Sequence, residues 1–197
     1  MKYLSLIFMS IFLVLSGCTQ DSPVALDRQE GPMIMEEPVL DASCFNRKRV
    51  KRLPFFAGFK ETWETLKPPV FPDDPIGEIE IIGTGFASHM GRSKIYIHEY
   101  INFGVYPSEI VGDYLSITSN RTGDKIEGTV TGLGYPGEEG RTTFEGTFYI
   151  TGGTGRFEGA SGEAQFEGAG VADLATGTGS GWVKFRGYIL INKRPLS

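Results

Sequence analysis

The sequence contains few of the residues that usually build a metal site, a disulfide framework or a nucleophilic enzyme site. Of its 197 residues, two are cysteine and two are histidine. No group of Cys and His has metal-ligand spacing, so zinc and haem sites have no support. A G-x-S-x-G nucleophile motif is missing, and the glycine string at 152–155 departs from G-x-G-x-x-G. The sequence therefore predicts no cofactor and no metal, and it names no reaction.

The chain also lacks an excess of basic residues. Its formal net charge is -5 and its pI is near 5.2, which argues against a nucleic-acid surface. The one basic run covers residues 47–52. A solvated arm is the first interpretation of this run, contact with anionic lipid headgroups the second, and nucleic acid the third.

The N-terminal segment has an apolar run that is shorter than a transmembrane span. This run covers residues 3–15 behind Lys2, whereas a spanning helix needs about 20 apolar residues. The pattern predicts a secretory signal. Leu15-Ser16-Gly17-Cys18 resembles the lipobox of bacterial lipoproteins, which implies a signal peptide over 1–17 and a lipid-modified Cys18. By that resemblance the mature protein is anchored to the bacterial cell envelope, at the outer membrane. The alternative is an ordinary signal peptide with a chance cysteine.

The mature chain divides into two parts. Residues 18–52 contain three prolines, several acids and no sustained period, so we interpret them as a linker. A lipid on Cys18 would leave Cys44 without an internal disulfide partner; it would then be buried or would pair between chains. Residues 53–197 form the predicted folded domain.

This domain has no window with helical periodicity. Eight alternating runs cover about 57–66, 78–88, 93–103, 113–119, 125–134, 141–151, 157–171 and 178–191. Most of the turns between them are short, and the proline-rich segment 67–75 makes a stiff first loop. The pattern predicts an all-β, eight-stranded antiparallel up-and-down barrel. A flat sandwich with turn glycines is the alternative.

A three-residue unit recurs at strand spacing and separates the two faces of the barrel wall. The unit is an apolar residue, a charge and a glycine, as in Phe144-Glu145-Gly146, and it recurs at 126–128, 157–159, 166–168 and 185–187. Because alternate side chains of a strand face opposite sides, the apolar residue and the glycine point inward and the charge points outward. The predicted interior residues are Ile126, Val130, Phe144, Phe148, Ile150, Ala164, Phe166, Val183, Phe185, Ile189 and Ile191. Of these we take Phe144, Phe148 and Phe185 as candidate ligand contacts.

Two acids break this rule. Glu99 shares the face of Ile95, Ile97 and Ile101, and Glu61 lies between Phe59 and Trp63. An inward carboxyl must be paired, raised in pKa or close to the barrel mouth, so both acids are candidate catalytic residues, and Glu99 is also a candidate ligand contact. Structural pairing is the alternative for each.

The two histidines do not extend this pair of acids into a catalytic group. His98 is adjacent to Glu99 but on the opposite face. His89 falls at a turn, where it lines the pocket rim as a ligand contact or forms a capping hydrogen bond.

Two motifs resemble a known family. Residues 150–162, ITGGTGRFEGASG, look like the closing hairpin of allene oxide cyclase and dirigent-type barrels, and residues 83–91, GTGFASHMG, are similar to a segment of their bacterial relatives. The resemblance implies an eight-stranded barrel with an apolar cavity, often trimeric in plant members. Those members act on oxylipins or guide phenoxy-radical coupling, and the cyclases rely on a pocket glutamate, a role open to Glu61 or Glu99.

The sequence supports three hypotheses for function. The first is a lipid-anchored, non-enzymatic barrel that binds a small hydrophobic molecule or acts as an interaction module. The second is an isomerase or cyclase of an unsaturated lipid-derived substrate. The third is a structural subunit of a surface complex, for which outward aromatics such as Tyr96, Tyr100, Trp182 and Tyr188 would form the contact patches.

Overall fold

The structure is a computed structural model, and it describes residues 50–173 and 175–192. These residues include the predicted domain except for residue 174 and residues 193–197. The predictions for the signal peptide, for Cys18 and Cys44, and for the first half of the basic run lie outside the described residues.

The domain is a closed barrel in which eight antiparallel strands follow one another in chain order. Each strand pairs with the next, and β1 pairs with β8 from Val50↔Asn192 to Glu64↔Thr178, which closes the barrel. This confirms the predicted all-β, eight-stranded up-and-down architecture. The strands are β1 (Val50–Lys67), β2 (Ile76–Ala87), β3 (Gly91–Asn102), β4 (Ser108–Ser119), β5 (Lys125–Pro136), β6 (Arg141–Gly153), β7 (Ser161–Asp173) and β8 (Thr178–Asn192).

Three predicted strand starts differ from the structure by four residues or more. β1 begins at Val50, so the end of the predicted linker is the start of the first strand. β4 begins at Ser108 instead of 113. The predicted run 157–171 was wrong at its start, because Gly155 and Gly159 adopt positive φ angles of 63° and 68° and turn the chain around Phe157. The Phe157 unit therefore belongs to a turn, and its buried ring helps to close one end of the barrel.

Two units of the repeat, on β6 and β7, pair the ring of one unit with the glycine of the other. Phe144 lies opposite Gly168 on β7, and Phe166 lies opposite Gly146 on β6. A Cβ atom at Gly168 would overlap the Phe144 ring, and one at Gly146 would come within 2.7 Å of the Phe166 ring. Each phenylalanine thus covers a glycine of the neighbouring strand, a device that lets a small barrel curve while its inner face stays apolar.

The core fills one end of the barrel. The side chains at this end come from the first half of β1, from the ends of β4 and β8, from the start of β5, and from the turns that precede β3 and β7. They include Phe55, Met90, Ile117, Ile126, Phe157 and Ile189, all at most 3% exposed. The opposite end, where β1–β2, β3–β4, β5–β6 and β7–β8 are joined, is less densely filled.

Candidate functional site

A cavity of about 510 Å³ occupies the barrel interior and reaches the β1–β2, β3–β4, β5–β6 and β7–β8 connections. Its deeper wall is aliphatic and aromatic, with Ile79, Ile81, Ile97, Leu115, Val130, Phe166, Val183 and Phe185. Pro68, Phe71, Phe103, Pro136 and Gly140 lie around the mouth. Ligand sites typically have volumes of roughly 300–1,000 Å³ and mostly apolar walls. The barrel is therefore hollow at one end and filled at the other.

Glu61 extends from β1 into this cavity. Its two strand partners are Gly83 on β2 and Gly181 on β8, so no neighbouring side chain stands beside it in the ladder. A Cβ atom at Gly83 would come within 3.2 Å of the Glu61 Cβ atom and within 2.9 Å of Ile95 Cγ2. Glycine at this position therefore leaves room for the base of the Glu61 side chain.

The Glu61 carboxyl is buried, and one of its two oxygens has no donor among the described residues. The residue is only 4% exposed, and Oε2 has no hydrogen-bond partner among the described residues. Because burial penalises the charged form, the pKa of Glu61 rises to about 7. An unpartnered buried oxygen is rare in folded proteins and calls for an explanation.

Glu99 reaches the same cavity from β3. It lies opposite Ile79 on β2 and Gly112 on β4, immediately beside a β-bulge. In that bulge Asp113 and Tyr114 are both exposed, so Gly112 and Leu115 keep their inward direction on either side of it. Glu99 is 8% exposed. Burial first, and then the nearby charge of Glu61, raise the pKa of Glu99 to about 8.

The two acids lie on strands that flank β2, with Glu61 opposite Gly83 and Glu99 opposite Ile79. On the inward face of β2, Ile81 lies between Ile79 and Gly83. The charge of Glu61 raises the pKa of Glu99, so the two carboxyls do not ionise independently. Near neutral pH the pair can therefore donate a hydrogen bond from a protonated acid, accept hydrogen bonds at a carboxylate, or exchange a proton with a bound molecule.

The structure places the other predicted ligand contacts at different depths. Phe144 and Phe185 line the cavity. Phe148 is fully buried below it and packs edge to face on Phe185, with ring centroids 5.8 Å apart. His89 lies in the β2–β3 turn at the filled end, where Nε2 donates a hydrogen bond to the Pro54 carbonyl oxygen at 2.8 Å. Of the two uses considered for His89, this is the capping bond and not the pocket rim.

Trp63 is a cavity residue that sequence reasoning did not select. Its indole lies near the mouth, in the space that Cβ atoms at Gly170 and Gly179 would otherwise fill. The signal was present in the sequence, since Trp63 occupies the same face of β1 as Phe59 and Glu61. Its glycine partners, however, come from strands more than a hundred residues away.

His98 lies on the outer wall and bridges three strands. Its Nε2 atom is 2.8 Å from Glu78 Oε1 on β2, and its Nδ1 atom is 2.6 Å from Asp113 Oδ1 in the β4 bulge. Hydrogen bonds to Asp113 and then to Glu78 raise the pKa of the imidazole. The group ties the bulge to its neighbours directly behind Glu99, although it does not enter the cavity.

The outer wall carries scattered apolar side chains. Tyr100 and Trp182 are 37% and 39% exposed, while Tyr96 and Tyr188 are partly covered by their neighbours. Arg52 stacks on the Tyr188 ring at 3.9 Å, which covers one of the predicted contact aromatics. Phe56 and Phe86, at 52% and 60%, were not predicted as contact residues and are more exposed than Tyr100 or Trp182.

No protein-family model and no curated protein matches this chain. Among the described residues, no group of three or more His, Cys, Asp and Glu side chains is placed to hold a metal ion. Within the same part of the chain, no helix has the length and hydropathy of a membrane span.

Proposed function

We propose that the barrel binds a small, mainly apolar molecule in its cavity. The observation that carries this proposal is the open interior of about 510 Å³ whose wall is aliphatic and aromatic apart from a few polar groups. Small eight-stranded barrels often fill their interior with their own side chains. An interior left open costs the domain packing energy, and binding of an apolar guest would recover it.

A tryptophan placed in the cavity tests this proposal. Ile81 lines the cavity and is 6% exposed, whereas its neighbour Ile82 points outward and is 55% exposed. In a titration of the full-length protein with Nile red, a neutral dye that fluoresces in apolar surroundings, Ile81→Trp should weaken dye binding at least tenfold. Ile82→Trp adds the same side chain outside and should leave binding unchanged. Equal binding by both variants would place the dye elsewhere and refute the proposal.

A second candidate function is isomerisation of an unsaturated, lipid-derived substrate. It is favoured by one observation, namely that Glu61 and Glu99 stand in the cavity wall with pKa values near the pH of most cellular compartments. In this proposal one acid would polarise or protonate the substrate and the other would accept a proton. If Glu61→Gln and Glu99→Gln leave every turnover found in a substrate screen unchanged, isomerisation is excluded and binding alone stands.

The cellular setting is a further part of the proposal. We infer from the lipobox-like sequence that Cys18 carries the lipid and holds the barrel at the bacterial envelope. Metabolic labelling with a palmitate analogue should mark the wild-type protein and not a Cys18→Ala variant. A trimer remains an expectation from the family resemblance, and a structural subunit of a surface complex remains the third hypothesis.

A further inference from the structure

We propose that the cavity selects ligands that carry a protonated amine, which the carboxylates of Glu61 and Glu99 attract. This inference rests on the proposed binding function, because it names the chemical class of the ligand. It starts from the position of the two acids on the strands that flank β2, both facing the same apolar interior.

The oxygen without a partner is the first argument. Glu61 Oε2 is buried and has no donor among the described residues, although only 4% of the residue is exposed to solvent. Leaving a buried polar atom unpaired is unfavourable. A ligand that donated a hydrogen bond to this oxygen would therefore gain binding free energy. The atom therefore points to a polar group on an otherwise apolar guest.

The second argument for a cationic ligand is that no basic side chain pairs with Glu61 or Glu99 among the described residues. None of the ion pairs in the described residues includes Glu61 or Glu99. Among the described residues that line the cavity, Arg141 is the only basic one; it starts β6 at the mouth, is exposed, and lies 3.6 Å from Glu139. A cationic ligand would supply the charge that the protein does not place there.

The number of donors favours an amine over a neutral group. An alkylammonium offers three N–H donors and no acceptor, and a carboxylate only accepts. A carbonyl or ether on the ligand would instead need an acid that keeps its proton. Charge-assisted hydrogen bonds in a dry site are also about twice as strong as neutral ones.

Few other titratable groups face the pair. The inward residues of β2 and β8 beside Glu61 are aliphatic, aromatic or glycine, as are those of β4 beside Glu99. Asp173 and Arg141 lie at the mouth. On the outer wall His98 stands behind Glu99, and Lys60 and Lys94 border the strand segment that contains Glu61.

The protons on Glu61 and Glu99 set the sign of the pH dependence of amine binding. In the empty cavity both acids hold protons below neutral pH, and an ammonium must displace at least one of them. Amine affinity should therefore rise with pH between about 5 and 8, by at most about tenfold per pH unit for each proton released. An alkylamine itself stays protonated over this range, as lysine does with a pKa of about 10.4.

The experiment compares three ligands with the same tail and different head groups. Decylamine, decan-1-ol and decanoic acid are titrated against Nile red bound to the full-length protein, at pH 5, 6.5 and 8. The variants are Glu61→Gln, Glu99→Gln and the double variant. Glu64→Gln is the matched control, because Glu64 lies on the same strand but is exposed on the outer face.

We expect decylamine to bind at least tenfold more tightly than decanol at pH 8, with decanoic acid the weakest. The preference should fall in each single variant and vanish in the double variant, while decanol binding persists and shows that the barrel is folded. The Glu64→Gln protein should behave as wild type. If decanol binds as well as the amine, the inference fails and the proposed binding function stands. If no ligand displaces the dye and the dye itself does not bind, both fail.

Discussion

Replacement of Glu61 by glutamine should change how the stability of the barrel depends on pH. The pKa of Glu61 rises from 4.5 to about 7 in the folded protein because the carboxyl is buried. The folded state then holds a proton that the unfolded chain has already released. This contribution to stability is fully present below pH 4.5 and is lost as the pH rises through 7.

The magnitude follows from these two values. At about 1.4 kcal/mol per pH unit of difference, the wild-type protein should lose about 2.5 kcal/mol of unfolding free energy between pH 5 and pH 8 through Glu61 alone. Glutamine has nearly the same shape and no charge to desolvate. The Glu61→Gln variant should therefore gain about that amount relative to wild type over the same range.

Urea denaturation followed by tryptophan fluorescence provides the measurement, since Trp63 and Trp182 both lie in strands of the barrel wall. Unfolding free energies are determined at pH 5, 6, 7 and 8 for wild type, Glu61→Gln and the exposed control Glu64→Gln. A difference between wild type and Glu61→Gln that stays constant within about 0.5 kcal/mol, near the usual error for mutational comparisons, would show that the carboxyl is not desolvated and would refute the reasoning.

Two further substitutions test the outer wall and the repeat. His98→Asn should destabilise the barrel most below pH 6.5 and progressively less as the pH rises through the raised pKa of His98, because the charged imidazole bridges Glu78 and Asp113; thermal melts at pH 5.5 and pH 9 that show equal losses would contradict this. Gly168→Ala should cost about 1–3 kcal/mol by forcing the new methyl group against Phe144, as overpacked cores do. Gly152→Ala is its control, since a Cβ atom there meets nothing within 4 Å, and equal stability of the two variants in urea would count against the ring-on-glycine packing.

Most of the fold could be predicted from the alternation of inward and outward side chains along each strand. Most of the predicted inward residues from Ile126 to Ile189 are buried. Glu61 and Glu99 also face the interior, because each lies two positions from an inward apolar residue of its strand. The prediction for Phe157 failed for a local reason. Gly159 has the spacing of the repeat, but Gly155 and Gly159 adopt turn conformations that a strand does not use.

Other features depend on contacts between strands, which the alternation within a single strand does not predict. The bulge at Asp113 adds one residue to β4 and is fixed by pairing with both neighbouring strands. The coupling of Glu61 with Glu99 requires β2 to lie between their strands. Whether the interior is hollow depends on the sum of many side-chain volumes, including the room that Gly83 leaves beside Glu61. These are properties of the closed barrel and not of any single segment.

Entry of an apolar molecule into the cavity underlies both the proposed function and the amine preference. It is measured by the Nile red titration of wild type, Ile81→Trp and Ile82→Trp at pH 7. We predict saturable binding of one dye per barrel in wild type and Ile82→Trp, and at least a tenfold loss in Ile81→Trp. Unchanged binding by Ile81→Trp, or no saturable binding by the wild-type protein, would contradict entry into the cavity.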